Sequence, residues 1–273
     1  MKKVLIIGGD NRLKALKSRL SSDGYKTDSL GLFENDNGSI ENADVIILPV
    51  PTTKDKENIF TPLTHRKIPL SEIYEKTDKN QLILSCNYSF EGKNSVDYGA
   101  LDSYALLNAV PTAEGAISLA IENTDFALWN SSVLVIGCGR VGKILADRLK
   151  ALGAKVTVSA RKDRDFAYLS ALGFDYINTT SLSQSQNAYR IIFNTVDAKV
   201  LDDTALERLT CDLMIDLSSF GGFSLEKAEK CGIKAIKAPA LPLKTAPETA
   251  SEILYETVTQ IIDKNSGEAY GKN

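Results

Sequence analysis

Six consecutive residues, Gly137-Cys138-Gly139-Arg140-Val141-Gly142, have the types and spacing to grip a pyrophosphate. In such a run the first glycine allows a tight turn, the second lets the backbone approach the phosphates, and the third lets a helix pack close to its strand. Free N–H groups and the helix dipole then face the anion. The context fits, because the run follows the apolar stretch VLVI and leads into a helical spacing of Val141, Leu145, Leu149 and Leu152. Cys138, Arg140 and Val141 fill the variable positions, with Arg140 placed either to neutralise phosphate charge or to meet solvent.

The next apolar stretch, KVTVS, ends in Ser159-Ala160-Arg161-Lys162. An acid that hydrogen-bonds the ribose 2'-hydroxyl of NAD belongs at this offset, and here the position is Ala160. Ser159, Arg161 and Lys162 offer donors and positive charge to a 2'-phosphate instead, which favours NADP over NAD. The competing reading makes Arg161 and Lys162 a solvated strand end with Asp163 on the ribose. Farther along, RIIFNTVDA brings Asn194, Thr195 and Val196 to the end of a strand, where they should line the nicotinamide ribose. DLMIDLSSFGG brings Asp216, Ser218 and Ser219 to the same edge, although Asp216 could equally cap a turn.

Positioning these residues takes alternating strands and helices. Fully apolar runs (VLIIGG, ADVIILPVP, QLILSC, SVLVIGCG) separated by amphipathic segments imply parallel sheets covered on both faces. The strand–glycine turn–helix pattern starts twice, at Val4 and at Val133. The expected fold is α/β, two Rossmann-like domains with an interdomain cleft, the second a dinucleotide-binding Rossmann domain. Residues 1–110 would form a substrate or partner domain, and residues 111–244 the NADP-binding domain with a connecting helix that starts at Pro111-Thr112. A helix over residues 247–264, with Ile253, Val258 and Ile262, would pack back on the first domain, and NSGEAYGKN would be a frayed tail.

The 273 residues carry a net charge of -3 with signs interspersed, which argues against nucleic acid as a partner. The apolar run near the N-terminus is too short for a signal sequence, and no stretch approaches the roughly 20 apolar residues of a membrane span. A cytoplasmic location is expected. Cys86, Cys138, Cys211 and Cys231 lack metal-ligand spacing, so no metal site is expected, and the one histidine, His65, sits in a polar loop.

In the first domain, Gly8-Gly9-Asp10-Asn11-Arg12 has Leu13 where a third glycine would stand, so no second cofactor is expected there. The turn with Arg12 suits a small carboxylate, and the loop Pro49-Val50-Pro51-Thr52-Thr53 could face the nicotinamide across a cleft. The segments GGDNR, LPVPTT, NAVPTAEGAI, IGCGRVG, FNTV, IDLSSFGG, GIKA and APALPLKTAPETA, in this order, resemble the A-subunit family of dipicolinate synthase over nearly the whole chain. The resemblance implies oxidation of dihydrodipicolinate to dipicolinate (pyridine-2,6-dicarboxylate) by NADP+ in the mother cell during sporulation. It also implies a partner, the flavoprotein-like B subunit of the synthase; a homo-oligomer is a further possibility.

Forming an aromatic ring by loss of hydride and proton needs mainly orientation of a dianion. Under that reading Arg12, Thr52, Thr53 and Thr112 hold the carboxylates, and Glu114, or a water it holds, takes the proton. Helix capping is the competing role for Thr112 and Glu114. Two other functions stay open. One is another two-domain NADP-linked reductase, shikimate-dehydrogenase-like or 2-hydroxyacid-dehydrogenase-like, the latter short of a histidine acid. The other is a non-catalytic cofactor-binding subunit.

Overall fold

The computed structural model describes residues 2–184 and 188–265. The expected frayed tail falls almost wholly outside these residues. The chain divides into two compact units, Met1–Asn108 with Pro247–Asn273, and Ala109–Ala246.

The first unit holds strands β1 (Lys3–Ile7), β2 (Lys26–Leu30), β3 (Val45–Ile47), β4 (Leu82–Ser85) and β5 (Ser95–Asp97). They form one sheet in the order β2-β1-β3-β4-β5, and every pairing in it is parallel. Helices α1 (Asn11–Ser22) and α2 (Leu70–Lys76) belong to this unit. Because β1, β3 and β4 are largely apolar, both sheet faces need cover. On one face Val4, Ile6, Val45, Ile47, Leu82 and Leu84 pack with Leu13, Leu16 and Leu20 of α1. The same cluster takes in Ile253, Leu254, Val258, Ile261 and Ile262 of the last helix, α9 (Pro247–Asn265). On the other face Leu5, Ile7, Ile46 and Ile83 pack with Leu70 and Ile73 of α2.

Helix α3 (Asp102–Glu122) departs from the sequence expectation. It starts nine residues before Pro111 and carries that proline in its interior, so neither Pro111 nor Thr112 stands at a helix start. The apolar residues of SYALLNAV continue the helical pattern backward and override the stop signal of one proline. Among the described residues α3 is also the one helix long and apolar enough to cross a membrane, contrary to expectation. Its apolarity has a local use: Ala113, Ala116, Ile117 and Ala120 lie in the core of the second unit.

That unit contains β6 (Ser132–Ile136), α4 (Arg140–Ala151), β7 (Lys155–Ala160), α5 (Asp163–Ala171), β8 (Asp175–Asn178), β9 (Ile191–Asn194), α6 (Asp203–Arg208), β10 (Leu213–Asp216), α7 (Leu225–Lys230), β11 (Lys234–Lys237) and α8 (Leu241–Thr245). Its sheet runs β11-β10-β9-β6-β7-β8, all parallel. Counted within the unit this is the Rossmann order, with the crossover between β6 and β9. The pattern of a strand entering a glycine turn twice in one sequence therefore produces two parallel α/β sheets. The register aligns Lys237, Asp216, Asn194, Ile136 and Ser159 in one row at the carboxyl edge.

Candidate functional site

The glycine run connects β6 to α4 as its spacing demands. Gly137 has φ +105°, and a Cβ there would lie 2.6 Å from the Thr195 Oγ1. A Cβ on Gly142 would lie 2.1 Å from the Gly137 carbonyl oxygen, so helix and turn touch through backbone alone. A Cβ on Gly139 would meet nothing within 4 Å. The first and third glycines are thus required by the protein's own packing, while the space before the second is left for something else.

Gly139 is the N-cap of α4 and makes no side-chain cap bond, and the first turn carries no acid. The donors of that turn have no acceptor inside the helix. The first unit offers a contrast on a similar turn. There Asp10 caps α1, its carboxylate accepting from the Arg12 N–H at 3.0 Å. Gly9 donates to the Phe60 carbonyl, and a Cβ at Gly8 would lie 2.8 Å from that same oxygen. One turn contains its own anion and is covered by its own chain; the other, among the described residues, has no side-chain cap and leaves the Cβ position of its middle glycine clear.

Of the residues expected around the dinucleotide, Cys138 and Val141 are half-buried and Arg140 is exposed. Burial pushes the Cys138 thiol above its ordinary value. Ala160 is buried at the tip of β7, and Arg161 and Lys162 are exposed just past it, before α5. Ser159 differs from the expectation of a phosphate donor. It is fully buried, its hydroxyl accepting from the Gly137 N–H at 3.3 Å and hydrogen-bonded to the Thr179 hydroxyl at 3.0 Å. A side chain beneath the turn shapes the turn and cannot reach past it.

Asn194, Thr195 and Val196 are also tied into the edge. The Thr195 hydroxyl donates to the Ile136 carbonyl at 2.9 Å, and the Asn194 amide clamps Val196 by accepting its N–H at 3.1 Å and donating to its carbonyl at 3.0 Å. The Asn194 amide also donates to Asp216 Oδ1 at 2.8 Å. Asp216 is 1% exposed. It accepts further from the Ser218 N–H and hydroxyl at 3.1 and 2.7 Å, from the Gly222 N–H at 3.0 Å and from Lys237 Nζ at 2.9 Å. Burial alone would raise this carboxyl; the donors from Ser218, Asn194, Gly222 and Lys237 outweigh it and hold the group below the usual carboxylate value. Asp216 is therefore a fixed anion and a poor base. Lys237 escaped the sequence reading, because a lysine at the end of KAIK has no local signal; only strand register puts it beside Asp216.

The residues expected to bind substrate are placed otherwise. Arg12 is 6% exposed and forms a bidentate pair with Asp10, Nε to Oδ1 at 3.0 Å and Nη2 to Oδ2 at 2.7 Å, while Nη2 also donates to the Val50 carbonyl at 2.9 Å. Burial lowers its pKa, but the bond to Asp10 and its charge more than offset this. A guanidinium buried two residues from a carboxylate pairs with it, and here it props the loop that follows β3.

Thr52 is fully buried, its hydroxyl accepting from the Cys86 N–H at 2.8 Å, and the Thr53 hydroxyl donates to Asp55 at 3.1 Å. Both serve the packing of their own unit. Thr112 lies inside α3, half-buried. Glu114 is exposed and paired with Arg148 Nη2 at 3.1 Å, near the far end of α4. Eight residues of helix separate Arg148 from Arg140, about 12 Å at the helical rise, so the carboxylate serves the wrong end of α4 to take a proton near the glycine loop.

Residues 3–105 match the family described as the N-terminal domain of the dipicolinate synthase A subunit. The chain is 31% identical to the dipicolinate synthase A subunit of Bacillus subtilis over 95% of each protein. The crystal structure of the same subunit from Bacillus halodurans superposes with a TM-score of 0.84 at 31% identity, covering 96% of this chain and 97% of the other. D-lactate dehydrogenase from Escherichia coli shares the fold at a TM-score of 0.62 and 14% identity, covering 98% of both chains. With two Rossmann-like sheets and this extent of shared sequence, the chain belongs to the A-subunit family of dipicolinate synthase.

Proposed function

We propose that this chain oxidises dihydrodipicolinate to dipicolinate with NADP+ as hydride acceptor, working with a B subunit. The observation that carries the reading is the glycine turn of α4, without a side-chain cap and with a clear Cβ position at Gly139, beside a strand tip that has Ala160 in place of an acid and exposed Arg161 and Lys162. Residues 137–142 would cradle the pyrophosphate, and Arg161 and Lys162 would face the 2'-phosphate, which a carboxylate there would repel. When bound, the dinucleotide supplies the site that accepts hydride; the substrate loses hydride and one proton as its ring becomes aromatic.

The chain's own residues contribute rigidity. Ser159 braces the glycine turn, Asn194 fixes the loop after β9, and Asp216 fixes the loop after β10. A site whose chemistry is driven by aromatisation gains most from such orientation. The test is an assay of the purified chain with dihydrodipicolinate and either NADP+ or NAD+, followed by nicotinamide absorbance and repeated in the presence of the B subunit. Turnover favouring NADP+ is expected. Turnover favouring NAD+ removes the cofactor assignment, and none under any condition, with NADP(H) still bound, supports a non-catalytic cofactor-binding subunit.

A further inference from the structure

We infer that Lys237 is the cation with which the dinucleotide-binding unit holds one carboxylate of the substrate, an inference that rests on the functional reading above. Four donors other than lysine already reach Asp216: the Asn194 amide, the Ser218 N–H, the Ser218 hydroxyl and the Gly222 N–H. A carboxylate offers about four lone-pair sites. Three of the four reach Oδ1 and only the Gly222 N–H reaches Oδ2, so Lys237 takes the remaining site on Oδ2 and the ion pair holds the ammonium in place.

The ammonium has three protons. One goes to Asp216 Oδ2 at 2.9 Å and one to the Ser218 hydroxyl oxygen at 3.3 Å. The third has no acceptor among the described residues, and 27% of the side chain remains exposed. Gly221 lies alongside, where a Cβ would come into ordinary contact with Lys237 Nζ at 3.8 Å and Asp216 Oδ2 at 4.0 Å. The lysine sits on the carboxyl edge of the sheet, three strands from the glycine turn on the side away from β7, roughly 14 Å at the usual strand spacing. In this topology the dinucleotide runs along that edge from the adenine side toward the reactive ring. A partly exposed cation at that end suits a dianionic substrate. Thr52 and Thr53 are bonded within the first unit, and Arg12 commits its Nε and Nη2 there.

The test uses the full chain and measures calorimetric affinity for dipicolinate, for pyridine-2-carboxylate and for NADP+, in the wild type, Lys237→Met and Lys237→Arg. Lys237→Met should weaken dipicolinate by roughly ten- to a hundredfold, the range for a charge-assisted bond. It should also erase the advantage of dipicolinate over the monocarboxylate and leave NADP+ affinity within about twofold, while Lys237→Arg restores most of the loss. Should Lys237→Met fail to fold, Lys237→Gln serves the same comparison. A folded variant that binds dipicolinate as the wild type does, or loses NADP+ affinity in parallel, overturns the inference alone. A wild-type chain that binds neither dipicolinate nor NADP+ overturns the functional reading and the inference together.

Discussion

Arg161 stands exposed beside Lys162, one residue beyond the tip of β7, which ends in Ala160. Arg161→Ala should weaken NADP+ by roughly ten- to fiftyfold and leave NAD+ nearly unchanged, because only the former offers a phosphate to the guanidinium. Fluorescence titration with both cofactors reads the ratio, and equal weakening would assign Arg161 to a part the two cofactors share. Asp216 acts on stability instead. Asp216→Asn replaces an acceptor facing the Gly222 N–H and the Lys237 ammonium, and at neutral pH it should cost about 3–5 kcal/mol, as breaking a buried pair does. The sign with pH follows from the lowered carboxyl. Its stabilisation is complete above the unfolded value of about 3.9 and is lost as pH falls through the folded value. The gap in denaturation midpoint between wild type and variant should therefore hold down to about pH 4 and shrink only in stronger acid.

At the scale of elements, the turn between β6 and α4 separates packing from binding. Gly142→Ala places a methyl 2.1 Å from the Gly137 carbonyl and must push α4 off the strand, so both thermal stability and cofactor affinity should fall. Gly139→Ala meets no neighbour, so its melting temperature should fall only by the small cost of a poorer N-cap, well short of the Gly142→Ala loss, while NADP+ affinity drops tenfold or more. An affinity unchanged by Gly139→Ala would place the pyrophosphate elsewhere. The turn was legible in the sequence because its requirement is local: three glycines between an apolar strand and a helix. The apolar strands β1, β3, β4, β6, β9 and β10 were legible for the same reason. Strands β2 and β8 were not, since as sheet edges they are partly exposed and read KTDSL and DYIN. The start of α3 was missed because Pro111 mimics a boundary that the packing of its neighbours overrides. For Arg12, Thr52 and Glu114 the sequence did not show the surroundings, for a common reason. Each polar side chain found a partner, Asp10, Cys86 or Arg148, that residue type alone does not reveal.

At the scale of the whole molecule, the last helix belongs to the unit in which the chain begins. α9 is separated from β1 by the entire second unit in sequence, yet it completes the cluster formed by β1, β3, β4 and α1. The first unit cannot close its core until residues 247–265 are made, so its stability depends on the most distant segment of the chain. Leu254 is fully buried in that cluster, between Ile253 and Val258. Leu254→Ala removes its side chain from a site with neighbours on two helices and should cost about 2–5 kcal/mol. The loss should be confined to one set of strands. Native-state hydrogen exchange should show weaker protection of amides in β1, β3 and β4, whose face α9 covers, and unchanged protection in β6, β9 and β10, whose core is built from α3 to α8. Because the glycine turn lies in the latter unit, NADP+ affinity of the folded variant should equal that of the wild type. Loss of protection spread evenly over both sheets would instead show that the chain opens as one cooperative body.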